Sequence, residues 1–170
     1  MDNDISHRPD CLPSYFGPTG FHWLDQGRLA GCARPGLVRK MDMDLTLLYR
    51  VGVRSLVSLT EEWVPDPAEM ARHGIHVRYF PIPDRMPPTI KQAVEMCKSS
   101  NSFLDQGKPV AYHCRAGKGR TGTMLAAHRI WEGHTAETAI SGVQQINKYW
   151  IESEAQESFL HEFDAFLRNN

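Results

Sequence analysis

Short apolar runs and longer runs of helical period alternate along most of the chain. Residues 1–20 stand apart, because Pro9, Pro13, Pro18, Gly17 and Gly20 lie there among polar residues, and proline lacks the donor that regular pairing needs. They predict an N-terminal arm or tail, lying on a domain that occupies residues 21–170. From Gly27 onward, apolar or β-branched runs at 28–32, 54–60, 75–80 and 109–113 predict strands, and the spacing at 42–50, 67–73 and 89–106 predicts helices. Gly52 and Gly74 come after two of the helical stretches, where a left-handed closing residue is wanted, and Thr89 or Pro88 opens the longest. After His113 the pattern turns to helices alone, at 121–132, 135–148 and 152–168. The last of these carries Phe159, Phe163, Phe166 and Leu167 along one face.

Such alternation predicts an α/β fold: a single domain with a central, largely parallel sheet of four or five strands, flanked by helices and followed by a helical C-terminal part. On that architecture ligands bind beyond the carboxyl ends of the strands, which directs attention to the loop after Pro109-Val110-Ala111-Tyr112-His113. The length of 170 residues suits one domain, and 41% hydrophobic with 23% charged residues suits a globular one. Nineteen basic against 20 acidic residues give a net charge of -1. That balance excludes an overall basic field for nucleic acid or an anionic membrane, so any anion site must be local. No run of about 18 apolar residues and no basic-then-apolar leader occurs, so neither membrane insertion nor secretion is expected. Cys11, Cys32, Cys97 and Cys114 are far apart and form no C-x-x-C pair, which excludes a zinc knuckle and a dithiol motif and points to a reducing, cytoplasmic setting. His22, His76, His128 and His161 show no ligand spacing, so no metal and no cofactor are expected. Trp23, Trp63, Trp131 and Trp150 read as packing residues.

The chemistry concentrates in Cys114-Arg115-Ala116-Gly117-Lys118-Gly119-Arg120-Thr121-Gly122, a glycine-rich turn between a buried strand and a helix. Gly117 and Gly119 let the backbone curl until successive N–H groups point inward, and the helix N-terminus adds roughly half a positive charge. The nest from Arg115 through Ala116, Gly117, Lys118 and Gly119 to Arg120 is shaped for a dianionic phosphate. An ordinary thiol has a pKa of about 8.5, whereas cysteines at helix N-termini beside cations fall to about 3.5–7.5. Cys114 is therefore a nucleophile candidate, and the planar fork of Arg120 can hold two phosphate oxygens at once. A nucleotide-binding G-x-x-x-x-G-K-[ST] loop is the near alternative, but Thr123 stands where its lysine is required. The bland alternative is a tight turn around an inert buried thiol, which three cations in seven residues would make costly.

His113-Cys114-Arg115-Ala116-Gly117-Lys118-Gly119-Arg120-Thr121-Gly122 resembles the H-C-x-x-G-x-x-R-[ST]-G signature of the cysteine-dependent protein tyrosine phosphatases. Gly27-Arg28-Leu29-Ala30-Gly31, Leu56-Val57-Ser58-Leu59-Thr60-Glu61 and Thr121-Gly122-Thr123-Met124-Leu125-Ala126 resemble the small atypical dual-specificity branch, over about residues 21–168. The resemblance implies phosphomonoester hydrolysis through a phosphocysteine, with Asp84, in Phe80-Pro81-Ile82-Pro83-Asp84-Arg85, as the general acid. The chemical need is general, since an expelled alkoxide or phenoxide needs a proton and the same carboxylate can then activate water. The plain reading of Asp84 is the start of a proline-rich turn. The resemblance also implies that Thr121 hydrogen-bonds the departing thiolate, besides capping the helix, and that His113 orders the loop rather than merely filling the core. Ile151-Glu152-Ser153-Glu154-Ala155-Gln156 resembles the family's I-E-T-x-x-Q stretch, which implies that Glu152 braces Arg120 and that Gln156 lies near the water site. The sequence departs from the family where an Arg-Pro-Gly commonly precedes that stretch, for here Lys148-Tyr149-Trp150 stands instead.

The expected substrate is a phosphorylated protein, with phosphotyrosine and phosphoserine or phosphothreonine both accepted. Arg115 and Lys118 also resemble the basic loop of phosphatase-and-tensin-type lipid phosphatases, which makes an inositol phosphate or lipid head group the alternative. A sulfurtransferase has no use for the acid Asp84, and a dead phosphate-binding module would lack the nucleophile, arginine or acid. Cys32 and Cys97 are the candidates for a resolving partner of an oxidised Cys114, against a default role in packing.

Overall fold

The computed structural model describes residues 20–170, so the arm expected at residues 1–20 lies almost entirely outside the described residues. Eleven elements run in order: β1 (His22–Asp25), β2 (Leu29–Ala33), α1 (Met41–Arg50), β3 (Ser55–Thr60), α2 (Pro67–Arg72), β4 (His76–Ile82), α3 (Ile90–Leu104), β5 (Val110–Cys114), α4 (Gly119–Trp131), α5 (Ala136–Ile146) and α6 (Glu154–Arg168). The strands form one sheet in the order β1-β2-β5-β3-β4. The β1–β2 pair is antiparallel; β2–β5, β5–β3 and β3–β4 are parallel.

Every residue of β2, β3 and β5 is buried, as expected of parallel strands covered on both faces. Side chains alternate between those faces. Val110, Tyr112 and Cys114 of β5 pack into a core with α3, α4, α5 and α6. Ala111 faces the other way, with Ala30, Cys32 and Leu56, against Leu45 and Leu48 of α1 and Met70 of α2. β4, at the sheet edge, is more exposed, and its Pro81 is tolerated there because an edge strand has spare donors.

The helix ends obey local chemistry. Thr89 caps α3 in a reciprocal box with Gln92, and Ser153 does the same for α6 with Gln156. Asp66 caps α2 through the amide of Ala68 at 2.9 Å. Gly52 and Gly74 take positive φ after α1 and α2, as the sequence predicts. Most element ends shift by one or two residues from the expected bounds, and two differences bear on the architecture. β1 is not expected from the sequence, because four residues, His-Trp-Leu-Asp, are too few to display a period. Its turn closes through the Arg28 amide bonding to the Asp25 carbonyl at 3.0 Å. α4 starts at Gly119 rather than at residue 121, which brings Arg120 into its first turn.

Candidate active site

The carboxyl ends of β2, β3, β4 and β5 share one end of the sheet, and the loop between β5 and α4 sits there. Gly117 has φ +71, and a Cβ built on it would fall 2.5 Å from the Cys32 carbonyl carbon and 2.6 Å from the Ala33 amide nitrogen. Both the left-handed conformation and the approach to β2 therefore require glycine. The role expected of Gly119 is corrected: its φ is not positive, and what it supplies is room. A Cβ there would fall 2.7 Å from Glu152 Oε2 and 2.9 Å from Gln156 Nε2. The loop is tied down by the Arg34 amide donating to the Arg115 carbonyl at 3.0 Å and by Trp150 Nε1 donating to the Gly117 carbonyl at 3.0 Å.

These ties shape a cleft of about 230 Å³, lined by Cys114, Arg115, Ala116, Lys118, Gly119, Arg120, Asp84, Arg85 and Glu152. No side chain caps the N-terminus of α4, so its first amides keep their donors for an anion. Cys114 forms the floor, 4% exposed, and Thr121 Oγ1 donates to its Sγ at 3.0 Å. His113 is fully buried, and burial lowers its pKa to about 4, so the ring is neutral. Its Nδ1 lies 3.1 Å from the Cys114 carbonyl. A carbonyl only accepts, so the proton is on Nδ1, and the buried Nε2 is left without a partner. Trp63 packs edge-on against this ring at 5.7 Å.

Arg120 is 3% exposed and is held by a residue the sequence did not single out. Its Nη1 donates to Glu62 Oε2 at 2.9 Å and to the Ile82 carbonyl at 3.0 Å, while Nη2 donates to Glu62 Oε1 at 2.6 Å. The brace expected from Glu152 is thus corrected to Glu62, from the segment after β3; Glu152 lies on the cleft wall over Gly119 instead. Glu62 occupies the Nη1–Nη2 edge of the guanidinium, which leaves the Nε–Nη2 edge for a ligand. Hydrogen bonding from Arg120 lowers the Glu62 pKa from 4.5 to about 2. The brace is therefore complete above about pH 4.5 and is lost as the pH falls toward 2.

Asp84 lies with its Oδ1 3.5 Å from Arg120 Nη2, and its side chain is 76% exposed. Its loop is positioned by a turn, the Met86 amide to the Pro83 carbonyl at 3.0 Å, and by Ser153 Oγ donating to the Arg85 carbonyl at 2.8 Å. Ser153 thus joins the Asp84 loop to the N-terminus of α6. Gln156 is buried; its Oε1 accepts from the Glu152 and Ser153 amides at 2.8 and 3.2 Å, and its Nε2 has no partner. Arg115 and Ala116 are exposed and Lys118 is half-buried.

Away from the cleft, Asp164 and His128 are engaged in structure. A hollow of about 350 Å³ beside the end of α4 contains Asp164, whose oxygens accept from the Ala136 amide and from Arg168. His128 is buried, bonded to the Tyr112 hydroxyl at 3.2 Å and to Asn101 at 2.9 Å. Cys32 and Cys97 are free and buried. Cys32 packs with the α1 and α2 side of the sheet and Cys114 with the other, and burial pushes both the Cys32 and Cys97 thiols up. Among the described residues no helix is long and apolar enough to cross a membrane.

A family model described as a polymorphic toxin system DSP-PTPase phosphatase matches residues 30–134, which include the whole loop and Asp84. The chain belongs to this DSP-PTPase phosphatase family. It is 39% identical over 66 residues to the phosphatidylinositol 3,4,5-trisphosphate 3-phosphatase and protein-tyrosine-phosphatase PTEN1 of Arabidopsis thaliana, covering 38% of this chain and 16% of that one. It is 31% identical over 121 residues to the protein MJECL20 of Methanocaldococcus jannaschii, covering 69% of this chain and 79% of that one. The chain spans 16% to 21% of the length of PTEN1 and of the two tyrosine phosphatases it matches alongside. The active form of Tk-PTP superposes with a TM-score of 0.77 at 26% identity, covering 85% of this chain and 96% of that one. The DSP-PTPase fold of this chain is thus the α/β arrangement expected from its sequence.

Proposed function

We propose that this chain hydrolyses phosphomonoesters through a phosphocysteine on Cys114, acting as a dual-specificity protein phosphatase on phosphotyrosine and on phosphoserine or phosphothreonine. The observation that carries the reading is the Thr121 hydroxyl bonded at 3.0 Å to the Cys114 sulfur on the floor of the cleft, below a buried Arg120. A hydroxyl donor there stabilises the thiolate as attacking group and again as leaving group.

The cleft supports each step with a named group. The loop amides and the Nε–Nη2 edge of Arg120 take the non-bridging phosphate oxygens, and this brings phosphorus over the sulfur. The thiolate forms the S–P bond as the P–O bond to the substrate breaks, and Asp84 gives its proton to the departing oxygen. Water then attacks phosphorus, Asp84 takes back a proton, and the thiolate leaves toward Thr121. The unpartnered Nε2 of Gln156, beside Gly119, is the free donor that supports a role in placing this water. Neutral His113 holds the carbonyl of Cys114, which fixes the nucleophile's backbone.

An inositol phosphate or phosphoinositide is the second reading. The exposed Arg115 and half-buried Lys118 favour it, as does the identity with PTEN1, whose name records a lipid substrate.

Replacing Asp84 with asparagine tests the acid. The loss in kcat is expected to be about 10²-fold for an alkyl phosphate and smaller for an aryl phosphate, whose better leaving group needs less proton assistance. Steady-state rates on p-nitrophenyl phosphate and phosphoserine read the difference, and equal losses would assign the proton to another group.

A further inference from the structure

Between α5 and α6, Lys148-Tyr149-Trp150 builds a feature beside the cleft. Trp150 is fully buried and its Nε1 is bonded to the Gly117 carbonyl. The turn leading to it is closed by the Trp150 amide on the Asn147 carbonyl at 3.0 Å and by the Tyr149 amide on Asn147 Oδ1 at 3.0 Å. Gln144 Nε2 holds the Trp150 carbonyl at 3.2 Å. The turn is therefore fixed with respect to the phosphate loop, and its tip, Lys148 and Tyr149, is exposed.

Tyr149 is 52% exposed, and its ring carries two ammonium groups, Lys118 Nζ at 4.9 Å from the centroid and Lys148 Nζ at 5.0 Å. The first belongs to the cleft wall; the second lies beyond the residues that line the cleft. None of Arg115, Lys118 and Lys148 has a carboxylate within ion-pair distance among the described residues, although Glu152 stands on the same wall. The result is a run of cations that starts inside the cleft and leads past one aromatic ring to the outside. The ring holds the lysines in place by attraction between each ammonium and its π face.

Resting on the phosphatase reading above, the geometry points to Lys118, Tyr149 and Lys148 as a subsite for acidic side chains that flank the phosphorylated residue of a peptide substrate. Lys148 lies outside the cleft, so a substrate reaches it only through a part that extends beyond the seated phosphate. An extended peptide advances about 3.3 Å per residue. A carboxylate one or two positions from the phosphoresidue is therefore carried past the lip to the ring and to Lys148. Charge complementarity at such a partly exposed rim acts on encounter and specificity and is screened by salt.

The test compares two phosphotyrosyl peptides, one with two aspartates after the phosphotyrosine and one with two asparagines there, and uses p-nitrophenyl phosphate as the reference. The protein is expected to favour the acidic peptide by about three- to tenfold in kcat/KM at low salt, with the preference shrinking as salt rises. Lys148→Ala should reduce the preference to below about twofold and Lys148→Glu should reverse it, with p-nitrophenyl phosphate turnover unchanged by either. Equal use of the two peptides by the unaltered protein would overturn the proposal, as would a preference that survives Lys148→Glu. A Lys148 effect on an inositol bisphosphate that exceeds the effect on the acidic peptide would overturn the peptide as occupant. Calorimetric binding of both peptides to Cys114→Ser reads the same preference without turnover. Failure of the hydrolase reading, seen as no release of phosphate from p-nitrophenyl phosphate, is thereby distinguishable from failure of the subsite.

Discussion

Cys114→Ser is expected to lower turnover of p-nitrophenyl phosphate by about ten-thousand-fold, the scale of loss when a covalent nucleophile is removed. Binding of a phosphate analogue such as tungstate should change little. The reason is local. The sulfur sits on the floor of the cleft with the Thr121 hydroxyl donating to it at 3.0 Å; an alcohol is a far weaker acid than a thiol, so a serine hydroxyl offers no comparable nucleophile. The amides, Arg120 and the Gly117 turn do not depend on the sulfur, so the anion site persists. Calorimetry with tungstate and steady-state kinetics separate the two effects, and a variant that retains more than about a tenth of the activity would remove Cys114 from the mechanism.

Arg120→Lys is expected to cost about 10²- to 10³-fold in kcat despite the preserved charge, comparable to removing a preorganised donor from a developing anion. Arg120 makes three hydrogen bonds through its two terminal nitrogens, two to Glu62 and one to Ile82, and still has an edge left over. A lysine ammonium has three hydrogens at one point and cannot serve that brace and two phosphate oxygens together. Glu62→Gln supplies the companion measurement. It keeps the shape but weakens the charge-assisted pair, so a smaller loss of roughly tenfold is expected, arising from a less well oriented guanidinium. Near-normal kcat for Arg120→Lys would show that the fork geometry is not used.

The loop was legible in the sequence because the parts that carry its chemistry are contiguous: the buried strand, the cysteine, the glycine that must take a positive φ, the cations and the helix beyond them. The central strands and the helices of the α/β frame were legible for a similar reason, each being long enough to display its period. What escaped was chemistry assembled across the chain. Glu62 lies 58 residues from Arg120, within a Glu-Glu pair that reads as an ordinary polar turn, and only the parallel pairing of β3 with β5 brings it to the guanidinium. Glu152, nearer in the chain and suggested by resemblance, is directed to the open side of Gly119 instead. Trp150 read as packing, and it is buried, yet its indole nitrogen also holds the loop carbonyl at Gly117; burial by itself does not reveal where a donor points. Gln156, suggested by resemblance for the water site, is a buried helix-capping residue whose side chain closes the box at the start of α6. β1 was missed because a four-residue strand, stabilised by its partner β2, carries almost no pattern of its own.

Rapid mixing with p-nitrophenyl phosphate, acid quenching within a single turnover and peptide mapping by mass spectrometry test the central claim most directly. The account predicts phosphate on the peptide that carries Cys114, bonded to sulfur, formed in a burst with p-nitrophenol and absent from Cys114→Ser. Release of phosphate with no protein adduct, or an adduct on any other residue, would contradict it.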